Sequence, residues 1–102
     1  MSVSVVFRPK TLSTKQYDEL ILRLEKAGAA NPRGRSYHVY SLSGRNANLF
    51  GVWDSLKDFE KFGYTLNPIL RELKIDLGPP EIKEIHNIIE GNPVHTFQQR
   101  YF

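Results

Sequence analysis

Apolar positions in the first third of the chain change from a strand-like to a helix-like spacing. Residues 2–8 form a short run, rich in β-branched valine, that ends before Pro9, a pattern that predicts a strand. Ser13 and Gln16 have the spacing of a capping box, and Gly28 is a typical helix stop. Between them, apolar residues recur every three or four positions, which predicts an amphipathic helix. They are Tyr17, Leu20, Ile21 and Leu24.

Three more strand-like runs follow. Residues 36–42 and 47–53 flank the sequence Ser43-Gly44-Arg45-Asn46, which is typical of a hairpin turn. Gly78-Pro79-Pro80 interrupts the chain, and residues 81–89 then predict a fourth strand.

The stretch between the third and fourth strands predicts two helical segments. Asp54 or Ser55 caps the first, which Gly63 interrupts. Because Pro68 disfavours helical geometry at Asn67, we expect a second helical segment to start near Asn67 and Pro68, with Asn67 as its cap. The apolar faces comprise Leu56, Phe59 and Phe62, then Leu66, Ile69, Leu70 and Leu73.

The order β-α-β-β-α-β is the split βαβ pattern of ferredoxin-like α+β folds. We therefore expect residues 1–90 to form one domain, with a four-stranded antiparallel sheet and both helices on one face. Residues 91–102 form a C-terminal tail. Its three aromatic residues either dock on a partner subunit or remain unanchored, and we favour docking. They are Phe97, Tyr101 and Phe102.

Both faces of the predicted sheet carry large apolar groups. An antiparallel sheet with one wet face alternates apolar and polar residues, but Val5 and Val6 point to opposite faces, as do Leu49 and Phe50. Two helices cover only one face. Because exposed apolar side chains favour association, we expect the second face to pair with a second copy in a C2 homodimer.

Composition narrows the possible functions of this 102-residue chain. It has no cysteine, which excludes disulfides, thiolate metal sites and a cysteine nucleophile. No apolar run is long enough to span a membrane and no secretory signal is visible, so we expect a cytoplasmic protein. The net charge is +3. We interpret Arg33, Arg35 and Arg45 as solvated loop residues, and a phosphate-binding patch is the less favoured interpretation.

The chain resembles the dimeric α+β barrel superfamily, in particular small proteins similar to antibiotic biosynthesis monooxygenases. The resemblance covers about residues 3–90. It depends on Val52-Trp53-Asp54-Ser55 followed by Phe59 and Phe62, and on Pro79-Pro80-Glu81 before residues 85–89. It implies a dimer with a cleft between sheet and helices in each subunit. Some members oxidise phenols with O₂ without a cofactor, and many are uncharacterised.

That activity requires an aromatic cleft, a base and a group that stabilises the resulting anion. His38 and His86 are the candidate catalytic bases, although we favour a structural role for each. Their relative placement depends on whether the fourth strand contains a bulge. The candidate ligand-binding residues are Tyr40, Trp53, Phe59 and Phe62. We expect a small apolar or aromatic ligand and no cofactor.

Other functions fit the sequence less well. Haem-degrading relatives use a histidine on the second helix, and residues 55–75 contain none. No histidine spacing is typical of a metal site. RNA-recognition domains share the element order, but their third-strand motif fails at Asn46 and Ala47, which makes nucleic-acid binding a poor match. A structural or regulatory dimer without catalysis is the main alternative.

Overall fold

The structure, a computed structural model, describes residues 1–91 and contains the six elements that the sequence predicts. Residues 92–102, which include the three aromatic residues of the predicted tail, lie outside the described residues. The elements are β1 (Val3–Phe7), α1 (Thr14–Lys26), β2 (Arg35–Ser43), β3 (Asn46–Trp53), α2 (Leu56–Leu73) and β4 (Glu81–Glu84).

The four strands form one antiparallel sheet in the order β2-β3-β1-β4. Val5 of β1 lies between Gly51 of β3 and Ile82 of β4, so the first and last strands are neighbours although most of the chain separates them. This arrangement confirms the ferredoxin-like prediction.

Local sequence signals account for the limits of α1. The Ser13 side chain accepts a hydrogen bond from the backbone N–H of Gln16, and the Gln16 side chain accepts one from the backbone N–H of Ser13. This is the predicted capping box, which satisfies two backbone donors at the helix start. After the helix, Gly28 has a φ of +71°, a left-handed conformation that glycine adopts without a steric penalty.

The prediction of two helical segments after β3 is wrong, because α2 is one helix that contains both Gly63 and Pro68. A proline inside a helix removes the hydrogen bond to the carbonyl four residues earlier, here that of Tyr64. Tyr64 is 84% exposed, so water is available to its freed carbonyl. The apolar face meanwhile continues through buried Leu66 and Ile69, and their packing outweighs the local preference for a break.

The fourth strand is also shorter than predicted. It ends at Glu84, which pairs with Val3, the first residue of β1. One more backbone hydrogen bond joins the N–H of Ile85 to the carbonyl of Ser2 at 2.9 Å. Within residues 1–91, β1 is the only neighbour of β4, so residues beyond Ile85 have almost no described chain left to pair with. Residues 85–89 therefore do not extend the strand.

The two faces of the sheet differ in what covers them. Both helices pack on one face, where Leu20 and Leu24 of α1, Leu66 of α2 and Leu49 of β3 share a buried cluster. We call this the helix face. The opposite face carries an apolar group that we call the outer patch, most of it exposed in the single chain. The outer patch consists of Val6, Tyr37, Val39, Phe50 and Val52.

Candidate functional site

A cavity of about 50 Å³ lies between the helix face of the sheet and the two helices. Residues of β1, β2, β3, α1 and α2 line it, and most of them are aliphatic or aromatic. Four of the lining residues carry polar side-chain atoms, namely Tyr17, Arg35, His38 and, through its indole N–H, Trp53. An apolar pocket with a few convergent polar groups is the usual form of a small-molecule site.

Aromatic side chains from β3 and α2 form one wall of this cavity. Trp53, the last residue of β3, is only 3% exposed. Its ring centroid lies 5.6 Å from that of Phe59 and 5.4 Å from that of Phe62. The two phenylalanines are three residues apart on α2, so they share one helix face and both reach the indole. The predicted ligand-binding residues Trp53, Phe59 and Phe62 are therefore neighbours in one wall.

Tyr17 of α1 packs against His38 and Tyr40 of β2. The Tyr17 ring is nearly parallel to both rings, with its centroid 4.3 Å from that of Tyr40 and 5.8 Å from that of His38. The Tyr17 hydroxyl oxygen lies 2.8 Å from Nε2 of His38. Tyr40 is on the helix face but does not line the cavity, and its hydroxyl donates to the carbonyl of Leu12 at 2.7 Å.

Burial and a neighbouring cation keep the His38 ring neutral. Burial lowers the pKa of His38 most, the positive charge of Arg35 lowers it further, and the result is a pKa of about 4. Burial also raises the pKa of Tyr17, so its hydroxyl remains protonated at neutral pH. A protonated phenol and a neutral imidazole share this hydrogen bond. Tyr17 donates to Nε2 in the tautomer with the ring proton on Nδ1, and Nε2 donates to the Tyr17 oxygen in the other tautomer.

Arg35 is one of two site residues that the sequence interpretation missed; the other is Tyr17, which was assigned only to the apolar face of the first helix. Residues Arg35 and Tyr37 pair with consecutive residues of β3, so Ser36 is an extra residue that forms a bulge. Strict alternation from His38 would turn Arg35 away from the helices, and the bulge turns it towards them instead. Arg35 is thus not a solvated loop residue but lines the cavity. The orientation of Arg35 depends on this register shift, and no local sequence signal predicts the shift here.

The guanidinium of Arg35 lies against the aromatic wall. Its central carbon is 6.0 Å from the ring centroid of Trp53 and 5.8 Å from that of Phe62, distances typical of cation–π contacts. Nη2 donates a hydrogen bond to the carbonyl of Ala30 at 2.8 Å. Burial lowers the pKa of Arg35, but an arginine stays charged in a protein.

His86 lies apart from these residues. It follows β4, its side chain is exposed, and it does not line the cavity. The early end of β4 explains this position, because a longer strand would have carried His86 along the sheet. The structure therefore brings together only one of the two candidate bases, His38, with the aromatic wall.

A metal site and a membrane-spanning helix are both absent from the described part of the chain. Within residues 1–91, no group of three or more histidine, aspartate or glutamate side chains is placed to hold a metal ion. Neither α1 nor α2 is long and apolar enough to cross a membrane.

Because buried His38 is neutral, we expect the free energy of unfolding to depend on pH. The pKa of His38 is about 4 in the folded chain and near 6.5 when unfolded, so the unfolded state binds more protons between these values. The contribution of His38 is therefore complete above pH 6.5 and is lost as pH falls towards 4. Because the ring is partly exposed, we expect a loss of only about 1–2 kcal/mol in the free energy of unfolding.

Urea unfolding of wild type and His38→Gln at neutral pH and at a pH of about 4.5 measures this loss. The variant should lose about 1–2 kcal/mol less than wild type on acidification. His86→Gln is the matched control, since that exposed side chain should leave the acid-induced loss unchanged. An equal loss in wild type and His38→Gln would contradict the assignment of a neutral, buried His38.

Comparisons with known proteins identify the fold. No family model matches the chain, and no curated protein matches it in sequence. Among solved structures, it is similar to SnoaB, a cofactor-independent oxygenase from Streptomyces nogalater, with a TM-score of 0.63 and 14% identity over 88% of this chain and 98% of SnoaB. It is also similar to Rv0793 from Mycobacterium tuberculosis, with a TM-score of 0.60 and 12% identity over 90% of this chain and 100% of Rv0793.

A third similar structure is a Caulobacter crescentus protein that carries the name of an antibiotic biosynthesis monooxygenase. The TM-score is 0.60 and the identity 14%, over 86% of this chain and 91% of that protein. The chain therefore has the fold of the antibiotic biosynthesis monooxygenase-like dimeric α+β barrel proteins, as the sequence resemblance implied. Such low identities establish the fold and not an activity.

Proposed function

We propose that this protein binds a small aromatic compound in the cavity and promotes its reaction with O₂ without a cofactor. The observation that carries the proposal is the joint presence of an aromatic wall and a neutral histidine in one cavity. Trp53, Phe59 and Phe62 form the wall, and His38 lies with them at the cavity surface. The fold is one that SnoaB, a cofactor-independent oxygenase, also has.

His38 is the base in this proposal. It takes the proton of a phenolic hydroxyl of the substrate, and the electron-rich ring carbon ortho or para to that oxygen forms a C–O bond with O₂. The resulting peroxide regains the proton and loses water together with the hydrogen of that ring carbon, so that a phenol and O₂ yield a quinone and water. In the tautomer with the ring proton on Nδ1, the Tyr17 hydroxyl donates to Nε2 and relays the proton: its oxygen accepts the substrate proton while its own proton passes to His38.

The low pKa of His38 opposes proton uptake, but the negative charge that the same step creates on the substrate offsets this opposition. A base with a pKa of about 4 accepts a proton weakly at neutral pH. The step also creates a negative charge on the substrate, next to the imidazolium that forms. Opposite charges in a water-poor cavity stabilise each other, so the effective pKa of His38 rises as the anion develops.

Cavity size limits the substrate to a single ring. The volume is about 50 Å³, whereas a cavity that holds benzene has about 150 Å³. A one-ring compound therefore enters with a shift of lining side chains, and a polycyclic compound would require the helices to move. The small volume also favours the second candidate function, a structural or regulatory dimer without catalysis.

Either function includes a homodimer that forms through the outer patch. Val39 and Phe50 occupy paired positions on β2 and β3 and are 47% and 39% exposed, and nearby Tyr37 is 46% exposed. Monomeric proteins rarely expose such a contiguous apolar group. The outer patch of a second copy would cover this group with side chains of the same kind. In a dimer with a two-fold axis, the outer patches of both copies are buried together.

The test of the oxygenase proposal combines ligand binding with O₂ uptake. Trp53 is the only tryptophan, so its fluorescence reports directly on the cavity. We expect catechol or hydroquinone to quench it saturably and the wild type to consume O₂ faster than buffer alone. His38→Ala should lower that rate about 10²-fold or more, the usual contribution of a general base.

His86→Ala is the matched control and should retain the wild-type rate. O₂ uptake by His38→Ala equal to that of wild type would remove His38 as the base. Absence of both quenching and O₂ uptake would support the dimer without catalysis instead.

A further inference from the structure

We propose that Arg35 selects the ligand of the cavity, which is a one-ring aromatic compound carrying an ionised oxygen that the guanidinium binds. The ionised oxygen belongs to a carboxylate or to a phenolate, since both offer the same negatively charged acceptor. This inference rests on one part of the proposed function, which is that the cavity binds an aromatic ring. It does not require the reaction with O₂.

The first argument is the position of the guanidinium. The bulge at Ser36 turns Arg35 to the helix face, and β2 pairs it there with Trp53. Bulges often re-aim a side chain at a binding site in this way. The hydrogen bond from Nη2 to the carbonyl of Ala30 holds one edge of the group at 2.8 Å. An arginine has five N–H donors, so others remain available to a ligand.

The second argument is charge. Among the described residues that line the cavity, Arg35 is the only one that is charged at neutral pH. The ion pairs of residues 1–91 join Arg8 and Lys83 to Glu81 and Arg23 to Glu72, and none includes Arg35. Removing a cation from water is costly unless an opposite charge accompanies it. Within the described part of the chain, no carboxylate performs that role, and an anionic ligand would.

The third argument is the combination of ring and charge. The Arg35 guanidinium lies about 6 Å from the rings of both Trp53 and Phe62. A ligand ring packed on this wall therefore places a substituent oxygen beside the guanidinium. Arginine binds carboxylates through two parallel N–H···O bonds and binds a phenolate oxygen through one or two. A neutral aromatic ligand gains the wall contacts alone.

The competing explanation is that Arg35 covers the cavity as part of the fold. Its methylene groups shield apolar surface, and its cation–π contacts stabilise the aromatic wall. Such a role predicts that replacing Arg35 weakens every ligand to a similar extent. A selecting role predicts that only ionised ligands lose affinity. The ratio of affinities for an ionised and a neutral ligand of equal size therefore separates the two explanations.

The experiment titrates the protein with benzoate, pentafluorophenolate and benzyl alcohol at neutral pH and low salt, with the fluorescence of Trp53 as readout. We expect wild type to bind both anions about 10–100-fold more tightly than benzyl alcohol, the usual effect of a charge-assisted hydrogen bond. Arg35→Met should lose this preference while its affinity for benzyl alcohol changes less than about threefold. Arg35→Lys, which keeps the charge, should retain part of it.

Arg33→Met is the matched control, because it removes the same charge from an exposed position two residues away and should keep the wild-type preference. Wild-type binding of benzyl alcohol as tight as that of both anions would overturn the role of Arg35 and leave the proposed function intact. Binding of none of the three compounds would overturn the proposed function, and the role of Arg35 with it. Binding of only one of the two anions identifies the ligand as a carboxylate or a phenolate.

Discussion

A Phe50→Lys variant is expected to be monomeric at concentrations where the wild type is a dimer. Phe50 lies in the outer patch, with Val6 and Val39 at the paired positions of the two neighbouring strands. Complete burial of a side chain of this size contributes roughly 1.5–3 kcal/mol, but Phe50 is 39% exposed in the single chain, so the interface buries only that part of it. Because a two-fold axis repeats the substitution in both copies, the expected loss is about 1–2.5 kcal/mol per dimer, or roughly 10–10²-fold in the dissociation constant.

Sedimentation velocity over a range of micromolar concentrations measures this change. Lysine also places two like charges near the axis, which opposes association further. Tyr64→Lys is the matched control, because Tyr64 is an 84% exposed aromatic residue on α2, away from the outer patch. It should leave the dimer intact. A wild type that remains monomeric, or a Phe50→Lys variant that still dimerises, would contradict an interface at the outer patch.

The order of elements could be predicted because each element carries its own local signal. The capping box at Ser13 and the left-handed Gly28 act within a few residues of α1, and the structure retains both. The alternation of apolar residues also assigned the faces of the strands correctly. Val5 and Leu49 lie on the helix face, whereas Val6 and Phe50 belong to the outer patch.

Features that depend on a distant partner could not be predicted in the same way. The end of β4 is determined by where β1 begins, on the opposite end of the chain. In the part of the chain that the structure describes, residues 85–89 have strand propensity but no neighbouring strand, and without a partner they form no hydrogen-bonded ladder. The placement of His86 was left open for the same reason. The continuity of α2 through Pro68 likewise depends on the core that Leu66 and Ile69 join.

The candidate site was predictable in its apolar part and not in its charged part. Trp53, Phe59 and Phe62 follow from the sequence because a strand end and a helix face bring them together. Arg35 does not, since its orientation depends on the bulge between β2 and β3. One extra residue reverses the face of a side chain. Because of this reversal, Arg35, expected to be a charge on the protein surface, lines the cavity instead, as the only charged residue of residues 1–91 that does so.

Gly34, the residue before Arg35, is expected to be among the least replaceable positions of the chain. It has a φ of +90°, and a Cβ on it would lie 2.6 Å from Cγ and 2.7 Å from Cβ of Asp58. The left-handed conformation costs a residue with a side chain roughly 1–2 kcal/mol. The clash adds about 1–3 kcal/mol, since Asp58 Cβ is fixed to the backbone of α2 and cannot rotate away.

Gly34→Ala should therefore lower the free energy of unfolding by about 2–5 kcal/mol, as measured by urea denaturation. Gly28→Ala is the matched control, with a φ of +71° and no atom within 4 Å of the added Cβ, and should cost only about 1–2 kcal/mol. An equal loss in both variants would show that the contact with Asp58 is unimportant. The carbonyl of Gly34 also accepts a hydrogen bond from the N–H of Asp54 at 2.7 Å. This glycine thus joins the start of β2 to the residues that precede α2, and so helps to hold Arg35 and the aromatic wall at one cavity.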